Sequence, residues 1–80
     1  MNKHKTLLTF EWDKKNEILE IHANREGLEK LKNAITVLLL KENNDHKHLM
    51  SPEWGGDELS GDKQNNENTF INHVKIFKWN

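Results

Sequence analysis

His46 and His48 stand two residues apart, the spacing that puts two imidazoles on one side of an extended strand, and Glu53 follows as a nearby carboxylate. Imidazoles with a carboxylate can ligate zinc or another transition metal, and His22 or His73 could approach across a sheet. A small metal-dependent enzyme using His46, His48 and Glu53 is therefore one reading. The plainer reading is a solvated strand face. It carries more weight, so neither a metal ligand nor a cofactor is expected. Nucleophilic chemistry has less support: there is no cysteine, and Ser51 and Ser60 lack the sharp-turn surroundings of an activated serine. Gly55-Gly56 is followed by Asp57-Glu58, whose charge would repel a phosphate. No catalytic residue is expected, and the chain reads as a non-enzyme.

The acids between Glu53 and Thr69 form the clearest local charge bias. Their bland role is to keep a loop soluble. Their sharper role is to dock on a basic active site of another protein, where complementary charge speeds encounter and selects the partner. Trp54 amid these acids would be an anchor, since tryptophan is enriched at binding hot spots; its bland alternative is a plug on a small core. Lys75 and Lys78 near Phe77 and Trp79 resemble the aromatic and basic mixture of single-strand binders. Their spacing matches no nucleic-acid motif, and twelve basic against thirteen acidic residues give a net charge of -1. No nucleic-acid partner is expected.

These residues need a scaffold, and 80 residues supply one domain, 1-80, with a thin core. The stretch from Asn24 to about Lys41 is the one long amphipathic segment: Asn24 is a good N-cap, and Leu28, Leu31, Ile35 and Leu38 recur at helical spacing, widened by Ala34 and Leu39. Gly27 sits in the first turn, where its cost to helix stability is reduced. Thr6 to Trp12 and Glu17 to Ala23 alternate as two strands of a hairpin about Asp13-Lys14-Lys15-Asn16. His46 to Ser51 reads as a third strand ended by Pro52, and Phe70 to Trp79 as one closing strand. Residues 1-5 read as a frayed tail and 53-69 as a long, irregular, partly mobile acidic loop.

The fold class expected is α+β: a two-layer sandwich of one helix on a mainly antiparallel four-stranded sheet, in the order β-β-α-β-β. One helix covers one sheet face. The other would show Ile18, His22, Ile71, His73, Phe77 and Trp79. That patch could make a homodimer, giving a self-associating regulatory or assembly module, or receive a different partner; alternatively the long loop folds back with Trp54 and covers it. The absence of cysteine, of a signal-like apolar run in the first ten residues and of a membrane-length segment points to a cytoplasmic protein with no membrane partner.

Gly27, Leu28 and Leu31 form Gly-Leu-x-x-Leu; His46, His48 and Leu49 form His-x-His-Leu; and Glu53-Trp54-Gly55 follows. Over about residues 17 to 80 the chain resembles immunity protein family thirty-two of bacterial polymorphic toxin systems. The resemblance implies a non-enzymatic, cytoplasmic protein that binds and neutralises a cognate protein toxin. It does not imply which toxin activity is blocked. The chain departs from the pattern in an extra strand before Glu17 and a longer, asparagine-rich segment between Gly56 and Phe70. The candidate partner-binding residues are His48, Glu53, Trp54, Asp57 and Glu58, with Phe77 and Trp79 on the uncovered face.

Overall fold

The computed structural model describes residues 5-80; the expected tail, apart from Lys5, lies outside the described residues. The described residues form two antiparallel sheets, one α-helix and a short 3-10 turn. The hairpin of β1 (Leu8–Asp13) and β2 (Ile18–Ala23) is turned by residues 14-17, with Asp13 accepting from the Asn16 backbone and side-chain N–H groups. Leu8, Phe10 and Trp12 face the same way as Ala23, Ile21 and Leu19 opposite them. Thr9, Glu11, Glu20 and His22 fall on the other face.

Helix α1 (Arg25–Leu39) starts where the Asn24 side-chain oxygen accepts from Gly27 N–H at 2.9 Å. The same oxygen accepts from Leu7 N–H at 3.0 Å, so one side chain caps the helix and ties it to the approach of β1. The buried stripe is Gly27, Ala34 and Leu38, with Leu31 partly buried. It is rotated from the leucine-led stripe the periodicity suggests, leaving Leu28, Ile35 and Leu39 exposed. Gly27 supplies the reason. A Cβ there would overlap the Leu7 carbonyl, so the missing side chain lets the helix start lie directly on the strand.

The single four-stranded sheet is not what forms. β1 lies between β2 and β4 (Thr69–Ile71), while β3 (Asp45–Met50) pairs separately with β5 (His73–Lys78). The closing strand is therefore broken at Asn72, and its alternation slips there. Ile71 faces inward beside Phe10, and the next inward residues are Val74 and Ile76, where strict alternation would put Ile71 opposite to them. Asn72 is held at the break, its carbonyl accepting from Ser51 N–H at 2.9 Å and its side-chain oxygen from the Ser51 hydroxyl. The segment at 59-60 links the two sheets: Leu59 N–H donates to Met50 O, and Ser60 N–H to Leu8 O.

The core is Leu8, Phe10, Ala34, Leu49 and Leu59, flanked by Leu31, Ile71, Val74 and Ile76. Leu59 is the loop's contribution to that core. Trp54 is not, being 57% exposed on a short 3-10 turn (Pro52–Trp54). The turn is closed by Gly55, whose φ of 87° suits glycine.

Candidate functional site

The outer face of the β3-β5 sheet is built by alternation. Leu49, Val74 and Ile76 turn into the core, so His46, His48 and Met50 on one strand, and His73, Lys75 and Phe77 on the other, must turn out. Register then sets His46 opposite Phe77, His48 opposite Lys75 and Met50 opposite His73. Residues of the 3-10 turn and the end of β5 extend this into a row of six rings. Trp54 lies 5.9 Å from His73 between centroids, His73 5.0 Å from His48, and His48 4.8 Å from His46. His46 is 5.6 Å from Phe77, which stacks on Trp79 at 5.8 Å with planes 6° apart. Lys75 places its ammonium 5.0 Å from the Phe77 centroid.

Within the row, imidazoles bond to imidazoles. His48 Nδ1 lies 2.8 Å from His73 Nε2, and His48 Nε2 lies 3.1 Å from His46 Nε2. Each bond needs one proton between two nitrogens, so a neutral His48 donates through one nitrogen and accepts through the other. Desolvation, then the neighbouring His46, His73 and Lys75, pull the His48 pKa below its ordinary value and favour the neutral ring. The nitrogens are aimed at one another in pairs, an arrangement that orders the surface.

The structure gathers His48, Trp54, Phe77 and Trp79 on this face, with Glu53 exposed beside Trp54. It does not bring Asp57 or Glu58 there. The Asp57 carbonyl accepts from Lys30 of α1 at 2.8 Å, and the Glu58 carboxylate accepts from Met50 N–H at 3.0 Å on the side lined by Lys30, Val37 and Lys47. The Met50 N–H holds the Glu58 carboxyl below its ordinary pKa although burial raises it. The apolar patch expected on an uncovered face is also divided. Ile71 is inside, Ile18 and His22 lie behind the three-stranded sheet, and His73 and Phe77 belong to the other sheet, with Trp79 just past its end.

Glu11 escapes a reading of the sequence. It is fully buried behind β1, where Oε2 accepts from Thr9 Oγ at 2.7 Å and Gln64 N–H at 2.8 Å. Its Oε1 accepts from Asn65 N–H at 3.1 Å and the Asn68 amide at 3.2 Å. Burial raises the Glu11 pKa, but these four donors outweigh it and hold the carboxyl below its ordinary value. The carboxylate thus fastens the asparagine-rich half of the long loop over the back of the sheet. Thr9 and Glu11 alternating opposite Leu8 and Phe10 was the one local signal; the other three donors lie more than fifty residues away. Glu11, Glu20 and His22 also form a group of possible metal donors, but His22 Nε2 already bonds Glu20 Oε1 at 2.8 Å and both Glu11 oxygens serve the loop. Among the described residues no helix is long and apolar enough to cross a membrane.

Comparison with known protein families matches residues 18–74 to the family described as Immunity protein 32. The matched span takes in β2, α1, β3, Trp54 and the break at Asn72; it leaves out β1 and the ends of the ring row at Phe77 and Trp79. No curated protein and no solved structure matches the chain.

Proposed function

The chain belongs to the Immunity protein 32 family, and from that premise we propose that it binds a cognate bacterial toxin in the cytoplasm and neutralises it by covering the active site. The row of rings on the outer β3-β5 face carries this reading. Trp54, Phe77 and Trp79 are 57%, 49% and 74% exposed, an unusual display of large aromatic surface on a chain whose core is thin. Each aromatic has few rotatable bonds, and each is held against a neighbouring ring, so little conformational entropy is lost when a partner covers it. His48 orders the middle of the row and Glu53 supplies an acidic rim beside Trp54. Asp57 and Glu58 act from the flank, one bonded to α1 and the other fixing the loop to β3. The mechanism is binding and occlusion, without a catalytic step of its own.

Co-expression tests this. A cognate toxin should arrest growth alone, wild-type protein should restore growth, and Trp54→Ala with Trp79→Ala should fail to protect while remaining folded by circular dichroism. Full protection by the folded double variant would remove the ring row from the account.

A further inference from the structure

β2 is an edge strand with no edge protection. β1 occupies one side, and among the described residues no strand pairs with the other. Protein edges are ordinarily blunted by lysine, proline or a bulge. β3 and β5 carry Lys47, Lys75 and Lys78, whereas β2 reads Ile-Leu-Glu-Ile-His-Ala, with Ile18, Leu19 and Ile21 about half exposed.

The hydrogen-bond parity of this edge can be worked out. Asn24 N–H donates to Leu7 O, which makes those residues a bonded pair in the β1-β2 register. Bonded pairs recur every second residue, so His22, Glu20 and Ile18 also direct their backbone groups to β1. Leu19, Ile21 and Ala23 then direct theirs outward. We infer that two copies of this chain pair antiparallel through β2, with Ile21 at the two-fold axis, to form a continuous six-stranded sheet.

That register is the one the residues favour. With Ile21 opposite Ile21 of the second copy, Leu19 falls opposite Ala23, and all the outward-directed residues from Leu19 to Ala23 find bonded partners. The intervening positions set Glu20 opposite the second copy's His22, and the reverse, so opposite charges meet twice when the histidine is protonated. Sliding the copies until Glu20 opposes Glu20 would bring like charges together. The arrangement is self-complementary, as a two-fold interface requires and a foreign strand does not. The helix adds to it. Val37 and Lys30 line the side of α1 towards β3, so Leu28, Ile35 and Leu39, at roughly the opposite flank by 100° per residue, look towards the β2 edge. Pairing the edges brings these flanks of the two helices to the same side of the joined sheet.

The chain has no cysteine, so a single introduced one reports the register. Sedimentation of the wild-type chain should give twice its 9.5 kDa mass, and Ile21→Lys should return it to the single mass. Under mild oxidation Ile21→Cys should form a disulfide dimer, because a bonded antiparallel pair separates its Cα atoms by about 5.5 Å, within disulfide reach. Leu19→Cys should not, since the two Leu19 positions would lie roughly 15 Å apart, four residues along the strand at about 3.4 Å each and one strand spacing across. A wild-type chain of single mass at millimolar concentration would overturn the inference. So would a doubled mass that persists in Ile21→Lys, or equal cross-linking of the two cysteine variants. These results do not depend on toxin neutralisation, which could fail or hold separately.

Discussion

Replacing Glu11 by glutamine changes almost no volume and removes the charge that fastens the long loop. Two of the four donors are the N–H groups of Gln64 and Asn65, which belong to exposed residues and can recover water. The other two come from Thr9 and Asn68, which are buried, and Asn68 keeps a second acceptor in Glu20 at 2.9 Å. The Thr9 hydroxyl is therefore the group most at risk of losing its partner, at a cost of about 1–3 kcal/mol. Loss of charge assistance from the remaining bonds adds on the order of 1 kcal/mol, while the new amide presents two donors where donors already crowd. The sum is about 3 kcal/mol, a large share of the roughly 5–15 kcal/mol that stabilises a domain. For a chain of this size it corresponds to a fall in Tm of about 12–24 °C. Urea unfolding at pH 7 gives the difference directly, and its pH dependence gives a second test. The folded pKa of Glu11 lies below its ordinary 4.5, so its stabilisation is fully present above that pH and is lost as pH falls through the folded value. Wild-type stability should decline below about pH 4.5, with Glu58 and Asp13 contributing in the same direction. The glutamine variant should decline less. A difference under about 1 kcal/mol at pH 7, or identical acid profiles, would show that Glu11 does not fasten the loop in this way.

Gly27→Ala would stabilise an isolated helix by about 1 kcal/mol. Here the new Cβ overlaps the Leu7 carbonyl and lies 3.1 Å from the Ala23 side chain, so thermal unfolding should show a loss of about 1–3 kcal/mol. Asn24→Ala removes an acceptor shared by Leu7 and Gly27, and should cost about 2 kcal/mol in denaturant unfolding, the upper part of the N-cap range. The folded pKa of His48 lies below the ordinary 6.5, so the contribution of its neutral ring to stability is intact above that pH and is lost as pH falls through the folded value. Proton-detected nitrogen spectra of the imidazoles should show His48 neutral at pH 6.5, and a ring mostly protonated there would contradict the proposed bonding. Trp54→Ala should leave Tm within a few degrees, since the side chain is mostly exposed.

What the sequence made legible was local. The Asn24 cap, the hairpin and the facing of Leu8, Phe10, Leu19 and Ile21 depend on neighbours a few residues away, and the structure has them as the pattern implies. The α+β class followed from those elements. The division into two sheets did not, because it rests on Asn72, whose slip of alternation is fixed by Ser51 on another strand. A run as apolar as Phe70 to Trp79 gives no sign of where its faces exchange. The rotation of α1 was hidden for a similar reason: Gly27 counts as nothing in a hydrophobic pattern, yet the Leu7 backbone can approach only there. Of the candidate residues, His48 and Phe77 share a face by strand parity, and Trp54 on the following turn and Trp79 just past β5 extend it. Asp57 and Glu58 separate because the loop that carries them is tied to Lys30 and Met50.

The exposed aromatic row is proposed to bind a toxin, and a calorimetric titration of the wild-type chain against the cognate toxin domain, repeated with Trp54→Ala and Trp79→Ala, measures that contact. Binding should be saturable at one chain per toxin domain and weakened roughly 30-fold by each substitution if each tryptophan is a hot spot of about 2 kcal/mol. Binding of unchanged affinity in both variants would contradict it.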